Sequence, residues 1–197
     1  MKSYNEKRDF SKTREPKEEP SQEGNEKPIF VIQKHDATNL HYDFRLEIDN
    51  TLKSWSVPKG PSTDPSVKRM AIPTEDHPLA YADFEGVIPQ GEYGGGTVMI
   101  WDTGEIKSNK KDEDGNIISL EDSFNNGSIE VVLHGKKLKG GYNLVEMKGG
   151  KMKGNWLLMK QDDEEADARR NPVSTEPKSV VSGRTLQQIA KDESEND

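Results

Sequence analysis

The chain has 197 residues, of which 30% are hydrophobic and 32% are charged, and its formal net charge is −8 at pH 7. It contains no cysteine, which excludes disulfide frameworks, thiolate zinc sites and cysteine nucleophiles. No run of about 18 consecutive apolar residues occurs, and the first residues lack the apolar core of a secretory signal. We therefore expect a soluble, cytoplasmic protein without a membrane span. Because the total charge is acidic, an anionic ligand would need a local basic pocket.

The two ends of the chain differ in composition from its middle. Residues 1–28 contain only Met1, Tyr4 and Phe10 as large apolar side chains, and residues 161–197 are strongly acidic. Such segments bury too little apolar surface to offset their ordering entropy unless they dock onto something. We predict three parts: a partly flexible N-terminal arm at 1–28, a folded domain at 29–160, and a flexible acidic tail with a short helix at 161–197.

Apolar and polar residues alternate in short runs through the predicted domain at 29–160. This period of two predicts about eight short strands, and the turn residues between them favour an antiparallel barrel or sandwich. The predicted strands are FVIQ, LHYDFRLEI, LKSWSV, KRMAIPTE, TVMIWD, SIEVVLHG, GYNLVEM and NWLLMK. Helix signals are few: a short turn at DHPLAYADF, with Pro78 in the first helical position, and a helix at TLQQIAKDE.

The segment HDATNLHYDFRLEI, residues 35–48, is unusually rich in ionisable groups. On a strand, side chains alternate between faces, so His41, Asp43, Arg45 and Glu47 share one face and the apolar residues take the other. Neighbours on that polar face lie roughly 6–7 Å apart, which lets His41 and Asp43 converge on one cation. His35 could fold back as a third ligand. Two imidazoles and one carboxylate suit Mn, Fe or Zn better than Ca or Mg.

Basic residues near this segment indicate an anionic ligand. Arg45 continues the polar face, and a guanidinium beside a metal is typical of a site that grips a phosphate. Further basic residues follow at Lys59, Lys68 and Arg69. One helical turn would set His77 and Tyr81 on the same side, where the imidazole could protonate a leaving oxygen.

Three other interpretations stay open at this point. A polar strand face is most often simply solvated, and His77 alone is most often a turn residue satisfied by backbone. The same set of two histidines and one carboxylate occurs in iron(II) oxygenases. A barrel that holds nucleic-acid ends without chemistry is the third alternative. We interpret His134 as structural, and the glycines of IPQGEYGGGTVMIWD as a close backbone crossing rather than a nucleotide-binding loop.

Several long motifs resemble one known family. The stretches FVIQKHDATNLHYDFRLEIDNTLKSWSVPKGPS, AIPTEDHPLAYADFEGVIPQGEYGGGTVMIWD and KRDFSKTREP are similar to the 3′-phosphoesterase module of bacterial end-joining DNA ligases, a module that also exists as free-standing proteins. The resemblance implies an all-β fold, a closed antiparallel β-barrel with a cleft. It also implies a manganese-dependent enzyme that removes a 3′-terminal ribonucleoside to leave a 3′-phosphate, and then removes that phosphate to leave a 3′-hydroxyl.

The resemblance also assigns roles to residues. It implies that His35, His41 and Asp43 are metal ligands, which we expect in the mouth of the barrel, and that Arg45 and His77 contact phosphate. Tyr81, Lys59 and Arg69 resemble supporting groups of the cleft. Arg8, Asp9 and Glu15 match an N-terminal motif, so the arm should pack beside the site, although TREP replaces the more usual TPEP.

Cofactor and partners follow from the same resemblance. The implied cofactor is Mn²⁺, with Co²⁺ or Zn²⁺ as other divalent metals that the site would accept. The implied substrates are nucleic-acid 3′ ends, in particular primer-template DNA that ends in a ribonucleotide or a 3′-phosphate. We expect a monomer that works with a separate DNA ligase or polymerase, because neither domain is recognised in the sequence. Whether water or a neighbouring 2′-hydroxyl attacks the phosphorus stays open.

Overall fold

The computed structural model describes residues 3–19 and 23–195. The described residues form nine strands: β1 (Ile29–Asp36), β2 (Leu40–Ile48), β3 (Thr51–Val57), β4 (Lys68–Pro73), β5 (Gly86–Ile88), β6 (Gly96–Ser108), β7 (Ser128–Gly135), β8 (Lys139–Glu146) and β9 (Trp156–Lys160). Within the same residues, the helices are α1 (Leu120–Asn125), α2 (Pro172–Thr175) and α3 (Leu186–Ser194), with 3₁₀ helices at Asn5–Lys7 and Leu79–Asp83.

Eight of these strands close into an antiparallel barrel. The order around the ring is β1-β2-β3-β4-β9-β8-β7-β6, and β6 pairs back onto β1. The short strand β5 adds to β6 outside the ring. All pairings are antiparallel, and the predicted closed β-barrel of about eight strands with few short helices is confirmed.

Alternate residues of the ring strands fill the interior of the barrel. Every one of the eight strands contributes to a single buried cluster, whose largest fully buried side chains include Trp55, Trp101, Tyr142, Phe30 and Phe44. A second, smaller cluster lies on the outside, where Val31, Val98 and Ile100 pack against the 3₁₀ helix at Leu79–Asp83 and strand β5. The outer face of β1 and β6 is therefore covered as well.

Local sequence signals explain most element boundaries. The β2–β3 hairpin turns at Asp49 and Asn50, which adopt positive φ angles of 52° and 57°, as a tight hairpin requires. The predicted C-terminal helix is confirmed as α3, and Thr185 with Gln188 forms a capping box at its start. Pro78 immediately precedes the 3₁₀ helix rather than occupying its first position.

Four elements of the described residues were not predicted from the sequence, and the first is the three-residue 3₁₀ helix at Asn5–Lys7. Strand β5 has only three residues, too few for alternation to register. Helix α1 has six residues and depends on its cap, where Ser119 accepts a hydrogen bond from the backbone of Asp122. Helix α2 is a single turn of four residues. Such short elements are fixed by tertiary contacts rather than by periodicity.

The described parts of both terminal segments dock onto the barrel, although their composition predicted looseness. Tyr4 and Ile189 are buried, and Trp101 donates from Nε1 to the backbone oxygen of Glu176 at 2.8 Å. Residues 1, 2, 20–22, 196 and 197 of the predicted arm and tail lie outside the described residues. Across 3–19 and 23–195, no helix combines the length and hydropathy that crossing a bilayer demands.

Candidate active site

The polar residues of β1 and β2 project from the outside of the barrel. The strand register places His35 opposite His41, Gln33 opposite Asp43, and Val31 opposite Arg45. Paired residues share a face, and residues that alternate with them along the strands, such as Ile32, Phe44 and Leu46, belong to the interior cluster. The prediction of a site in the barrel mouth is therefore wrong, because alternation along β2 sends the ionisable side chains outward.

This outer face is buried and not solvated. Asp43 is 6% exposed and Arg45 is 3% exposed, because the N-terminal arm and the segment around His77 cover them. Between these layers runs a cleft of about 320 Å³. The cleft lining includes Arg8, Glu15, His35, His41, Asp43, Arg45, Glu75, His77, Tyr81 and Tyr93.

His35, His41 and Asp43 form a group that could hold a metal ion. One nitrogen of each histidine and one carboxylate oxygen all lie within 4.8 Å of one another. Nδ1 of His35 is 3.5 Å from the carboxylate of Asp43, and Nε2 of His41 is 3.4 Å from it. This mixed nitrogen and oxygen set suits a divalent transition metal such as Mn²⁺ or Zn²⁺.

The orientation of both imidazoles supports the fit to a cation. Nδ1 of His41 lies 2.8 Å from the backbone oxygen of Asn39, which fixes Nδ1 as a donor and leaves Nε2 facing the carboxylate of Asp43, as a second donor when it is protonated or as a ligand when a cation binds. An unprotonated Nε2 and the carboxylate of Asp43 would repel each other, so either a proton or a metal ion must lie between them. Nε2 of His35 is buried and has no hydrogen-bond partner among the described residues.

Charge balance favours an ionised carboxylate in this group. Burial alone would raise the pKa of Asp43, but the charge of Arg45 outweighs burial, together with hydrogen bonds from both histidines, and holds that pKa well below its usual range. Burial also opposes the charged form of His41, yet the hydrogen bond and charge of Asp43 raise the pKa of His41 above its usual value. The carboxylate is therefore ready to bind a cation at neutral pH.

Arg45 is fixed by contacts along its whole guanidinium. Its Nε donates to the side-chain oxygen of Gln33 at 2.8 Å, and its Nη2 lies 3.3 Å from the carboxylate of Asp43. Nη1 lies 3.1 Å from Nδ1 of His77, and the guanidinium carbon lies 4.9 Å from the ring centre of Tyr81. Gln33 is held in turn, because its amide donates to the backbone oxygens of Tyr81 and Phe84.

His77 and Tyr81 form the opposite wall of the cleft. The backbone of His77 exchanges hydrogen bonds with Leu52 of β3, at 2.9 and 3.1 Å, which ties this segment to the barrel. The rings of His77 and Tyr81 are 4.6 Å apart, as the spacing of four residues predicted. Burial and the charge of Arg45 lower the pKa of His77 well below its usual value, so the imidazole is neutral at pH 7.

The N-terminal arm completes the cleft. Arg8 donates to Glu15 and to Glu75 at 2.9 Å, and its guanidinium stacks 3.7 Å from the ring centre of Tyr4. The hydroxyl of Tyr81 donates to Glu15 at 3.2 Å. The arm thus reaches the wall of the site through a buried chain of ion pairs and hydrogen bonds.

Three predicted site residues lie outside this lining. Asp9 is half exposed and accepts hydrogen bonds from the backbone and hydroxyl of Ser11, so it shapes the turn between Arg8 and Glu15. Lys59 and Arg69 line a separate groove together with Lys68. This groove, which we call the basic groove, has Pro58, Met70 and Leu157 as its other lining residues.

Sequence reasoning missed four residues of the site. Gln33 lies two residues before His35 and therefore on the same face of β1, so the sequence contained the signal that could have identified it. Glu75 lies two residues before His77, and its backbone oxygen is 2.9 Å from Nδ1 of that histidine. Tyr4 and Tyr93 reach the site only through the folded arm and the glycine-rich loop, so no local pattern could have identified them.

Comparison with known proteins identifies relatives that match most of the chain. The family model described as "DNA Ligase D 3′-phosphoesterase domain" matches residues 33–146. The multifunctional non-homologous end joining protein LigD of Pseudomonas aeruginosa is 44% identical over 189 residues, which are 94% of this chain and 22% of that protein. LigD of Mycolicibacterium smegmatis is 43% identical over 166 residues, which are 83% of this chain and 21% of that protein.

The LigD protein of Mycobacterium tuberculosis gives the same result, with 43% identity over 159 residues, 81% of this chain and 20% of the relative. The chain therefore spans about a fifth of the length of the curated relatives that it matches. The family match covers more than half of the chain and includes the whole His35, His41, Asp43 and Arg45 group. The chain belongs to the family of DNA ligase D 3′-phosphoesterase domains.

Proposed function

We propose that this protein is a metal-dependent phosphoesterase that heals nucleic-acid 3′ ends. It removes a 3′-terminal ribonucleoside to leave a 3′-phosphate, and then removes the phosphate to leave a 3′-hydroxyl. The observation that carries this proposal is the juxtaposition, in one buried cleft, of the metal-binding group with the Arg45–His77 pair. Cation donors beside a fixed guanidinium and a neutral imidazole suit phosphoryl chemistry.

His35, His41 and Asp43 would hold the metal, for which we propose Mn²⁺. When bound, a divalent cation there supplies Lewis-acid stabilisation of the charge that develops on a phosphate oxygen. Family membership and the donor set support this assignment, and Co²⁺ or Zn²⁺ would fit the same donors.

Arg45 would bind the phosphate itself. A guanidinium carries more N–H donors than its contacts with Gln33, Asp43 and His77 use, so donors are left for a substrate oxygen. Because these contacts fix the guanidinium before substrate binds, its charge is preorganised for the transition state. Lys59 and Arg69 would act from the basic groove, on parts of the substrate beyond the scissile phosphate.

His77 would protonate the leaving oxygen or stabilise its charge. It is neutral before substrate binds, and a phosphate dianion beside it favours the protonated form. Tyr81, positioned by Glu15, would help to orient substrate, while Arg8 and Asp9 hold the arm against the cleft.

Two P–O bonds at the same phosphorus break in sequence. In the diester step an oxygen nucleophile adds to phosphorus, the P–O5′ bond breaks, and the terminal nucleoside leaves with a protonated 5′-hydroxyl. In the monoester step water adds, the P–O3′ bond breaks, and inorganic phosphate leaves a 3′-hydroxyl end. Attack by a neighbouring 2′-hydroxyl needs a ribose on the 5′ side of the scissile phosphate, so a cyclic phosphate product from a primer that ends in two ribonucleotides would identify that attacking group. A primer that ends in one ribonucleotide has no such hydroxyl, and ¹⁸O from labelled water in its first phosphate product would identify water as the attacking group there.

The test is a 5′-labelled DNA primer that ends in one ribonucleotide, annealed to a template and incubated with protein and Mn²⁺. We expect two products in sequence, a 3′-phosphate end and then a 3′-hydroxyl end, and no product in excess chelator. His41→Ala should lose turnover and keep primer binding, whereas His134→Ala, an exposed histidine on β7, should behave like wild type. Primer binding without turnover in the wild-type protein would instead identify an end-binding module. Oxygen consumption with Fe²⁺ would identify an oxygenase.

The biological setting that we propose is end joining. The relatives are named as end-joining proteins, and this chain would prepare 3′ ends for a DNA ligase or polymerase. A ligation assay with blocked 3′ ends tests this placement, because ligation should depend on prior treatment with the protein.

A further inference from the structure

One aromatic side chain at the cleft belongs to neither hydrophobic cluster of the described residues. Tyr93 is 49% exposed, and it is the only exposed residue among the phenylalanines, tyrosines and tryptophans of the described ranges 3–19 and 23–195. It lines the cleft together with the metal-binding group and Arg45. An aromatic ring left in solvent beside a candidate nucleic-acid site is typical of a stacking platform for bases.

The loop that carries Tyr93 is positioned by backbone contacts. The backbone nitrogen of Glu92 donates to Pro89, and that of Gly95 donates to Glu92. Gly96 adopts a φ of 141° and passes so close to β1 that a Cβ atom there would lie 2.2 Å from the backbone oxygen of Asp36. This confirms the predicted close crossing and fixes the loop beside the end of β1.

Two cations hold the ring of Tyr93 in place. Nζ of Lys7 lies 5.1 Å from the ring centre, and the guanidinium carbon of Arg8 lies 5.3 Å from it. At these distances both cations attract the ring face. Since about half of the residue is still exposed, the ring keeps an area that a planar base could cover.

Charge distinguishes the two directions that lead away from the metal-binding group. On the Tyr93 side, Lys7, Arg8 and Lys12 are all engaged by carboxylates. The basic groove on the other side has Lys59, Lys68 and Arg69 in its lining and no acid. None of these three bases forms an ion pair with another described residue.

The distribution of phosphate charge at a nucleic-acid 3′ end matches this difference in charge between the two sides of the metal-binding group. On the 5′ side of the terminal linkage, a strand carries one phosphate per nucleotide, which favours the basic groove. On its 3′ side there is one nucleoside without a phosphate, which favours the charge-neutral wall at Tyr93. The groove lies on the β3 side of the metal-binding group: Lys59 comes two residues after Val57, which pairs with Tyr42, the residue next to His41.

We propose that Tyr93 is a positioning residue that stacks on the base of the terminal ribonucleoside, the leaving group of the diester step. This inference rests on the proposed function and names the subsite for the departing nucleoside. The 3′-phosphate end lacks that nucleoside, so the two activities depend differently on the ring. Tyr93 therefore favours strand ends that still carry the terminal nucleoside, and it does so without contacting the phosphorus.

The test compares kcat/KM on two matched primers, one ending in a ribonucleotide and one ending in a 3′-phosphate. Tyr93→Ala should lower the ratio of ribonucleotide-end to phosphate-end kcat/KM by about 10-fold, mainly through KM, as expected for the loss of one stacked base. Tyr93→Phe keeps the ring and should keep the ratio. Thermal unfolding of the variants checks that the fold is intact.

A second readout does not depend on turnover. In excess chelator, a primer with a terminal 2-aminopurine ribonucleotide should lose fluorescence on binding wild type and Tyr93→Phe, and much less on binding Tyr93→Ala. If Tyr93→Ala lowers kcat/KM equally on both primers, or leaves the ratio of the two kcat/KM values unchanged, the inference is overturned while the proposed function stays in place. A wild-type protein inactive on both primers would overturn the proposed function, and the inference with it.

Discussion

The two faces of strands β1 and β2 perform different tasks, although they alternate residue by residue. The inner residues Phe30, Ile32, Phe44 and Leu46 are fully buried in the barrel interior. The outer residues Gln33, His35, Asp43 and Arg45 are almost as buried, yet they form a network of ion pairs and hydrogen bonds. Burial alone therefore does not distinguish the core from the candidate site.

This difference shows how a barrel can support chemistry on its outside. The apolar interior supplies the free energy of folding, since each buried apolar side chain contributes about 1.5–3 kcal/mol. The outer layer, made by the arm and the segment around His77, buries most of the polar network. Changes on the two faces should consequently separate activity from stability.

The largest expected effect is on the outer face. Asp43→Asn keeps the size of the side chain but removes the carboxylate that both histidines and Arg45 face. We expect phosphoesterase activity to fall by about 1,000-fold or more, with loss of Mn²⁺ binding measured by electron paramagnetic resonance. Asp114→Asn, on an exposed turn, is the matched control. Retained Mn²⁺ binding in Asp43→Asn would contradict the assignment.

The adjacent inner residue should give the opposite result. Phe44→Ala creates a cavity in the barrel interior and should lower the free energy of unfolding by about 3–5 kcal/mol. Turnover per folded molecule should stay near the wild-type value below the unfolding transition. Urea unfolding and kinetics measure both quantities, with Leu40→Ala, half exposed on the same strand, as the control. A large loss of turnover in the folded Phe44→Ala protein would contradict the expectation that inner-face changes affect stability and not activity.

A buried charge outside the site should affect stability and not catalysis. Lys137 donates to the backbone oxygens of Glu176 and Lys178, and burial lowers its pKa to about 8. Between about pH 8 and 10.5 this lysine is protonated in the unfolded chain and largely neutral in the folded one, so the unfolded chain binds more protons. The free energy of unfolding therefore rises with pH in this range, by on the order of 3 kcal/mol at most. Urea unfolding from pH 7 to 10 should show a shallower rise for Lys137→Met than for wild type. An equal rise of the free energy of unfolding with pH in both proteins would contradict this effect.

The smallest effect should come from the neutral residue that links the two layers. Gln33→Met leaves Nε of Arg45 without its acceptor and the backbone oxygens of Tyr81 and Phe84 without a donor. We expect a loss of about 1–3 kcal/mol in stability and a fall of about 10-fold in kcat, with Mn²⁺ affinity retained. Gln187→Met, exposed on α3, is the control. An unchanged kcat would show that Arg45 does not depend on Gln33 for its position.

Much of the fold could be predicted because alternation is a local signal. All eight ring strands follow the period of two, and the turn at Asp49 and Asn50 follows from residue types that tolerate positive φ. Strand β5 and helices α1 and α2 are too short to produce such a signal. Closure of the ring through β1 and β6 is a long-range pairing, which the family resemblance implied and local pattern could not.

The candidate site could be predicted where its residues lie close in sequence. His35, His41, Asp43 and Arg45 come from one hairpin, and His77 with Tyr81 from one turn. Glu75 and Tyr93 enter through contacts across distant segments, which no spacing reveals. The outward direction of the polar face was also hidden, since alternation separates two faces without indicating which of them encloses the barrel.

The most direct test of the central proposal is an anomalous-scattering map from crystals grown with Mn²⁺. We predict one strong peak between the imidazoles of His35 and His41 and the carboxylate of Asp43, beside the guanidinium of Arg45, and no such peak in Asp43→Asn crystals. A manganese ion bound elsewhere in the wild-type protein, with these three side chains contacting only one another, would contradict the proposal.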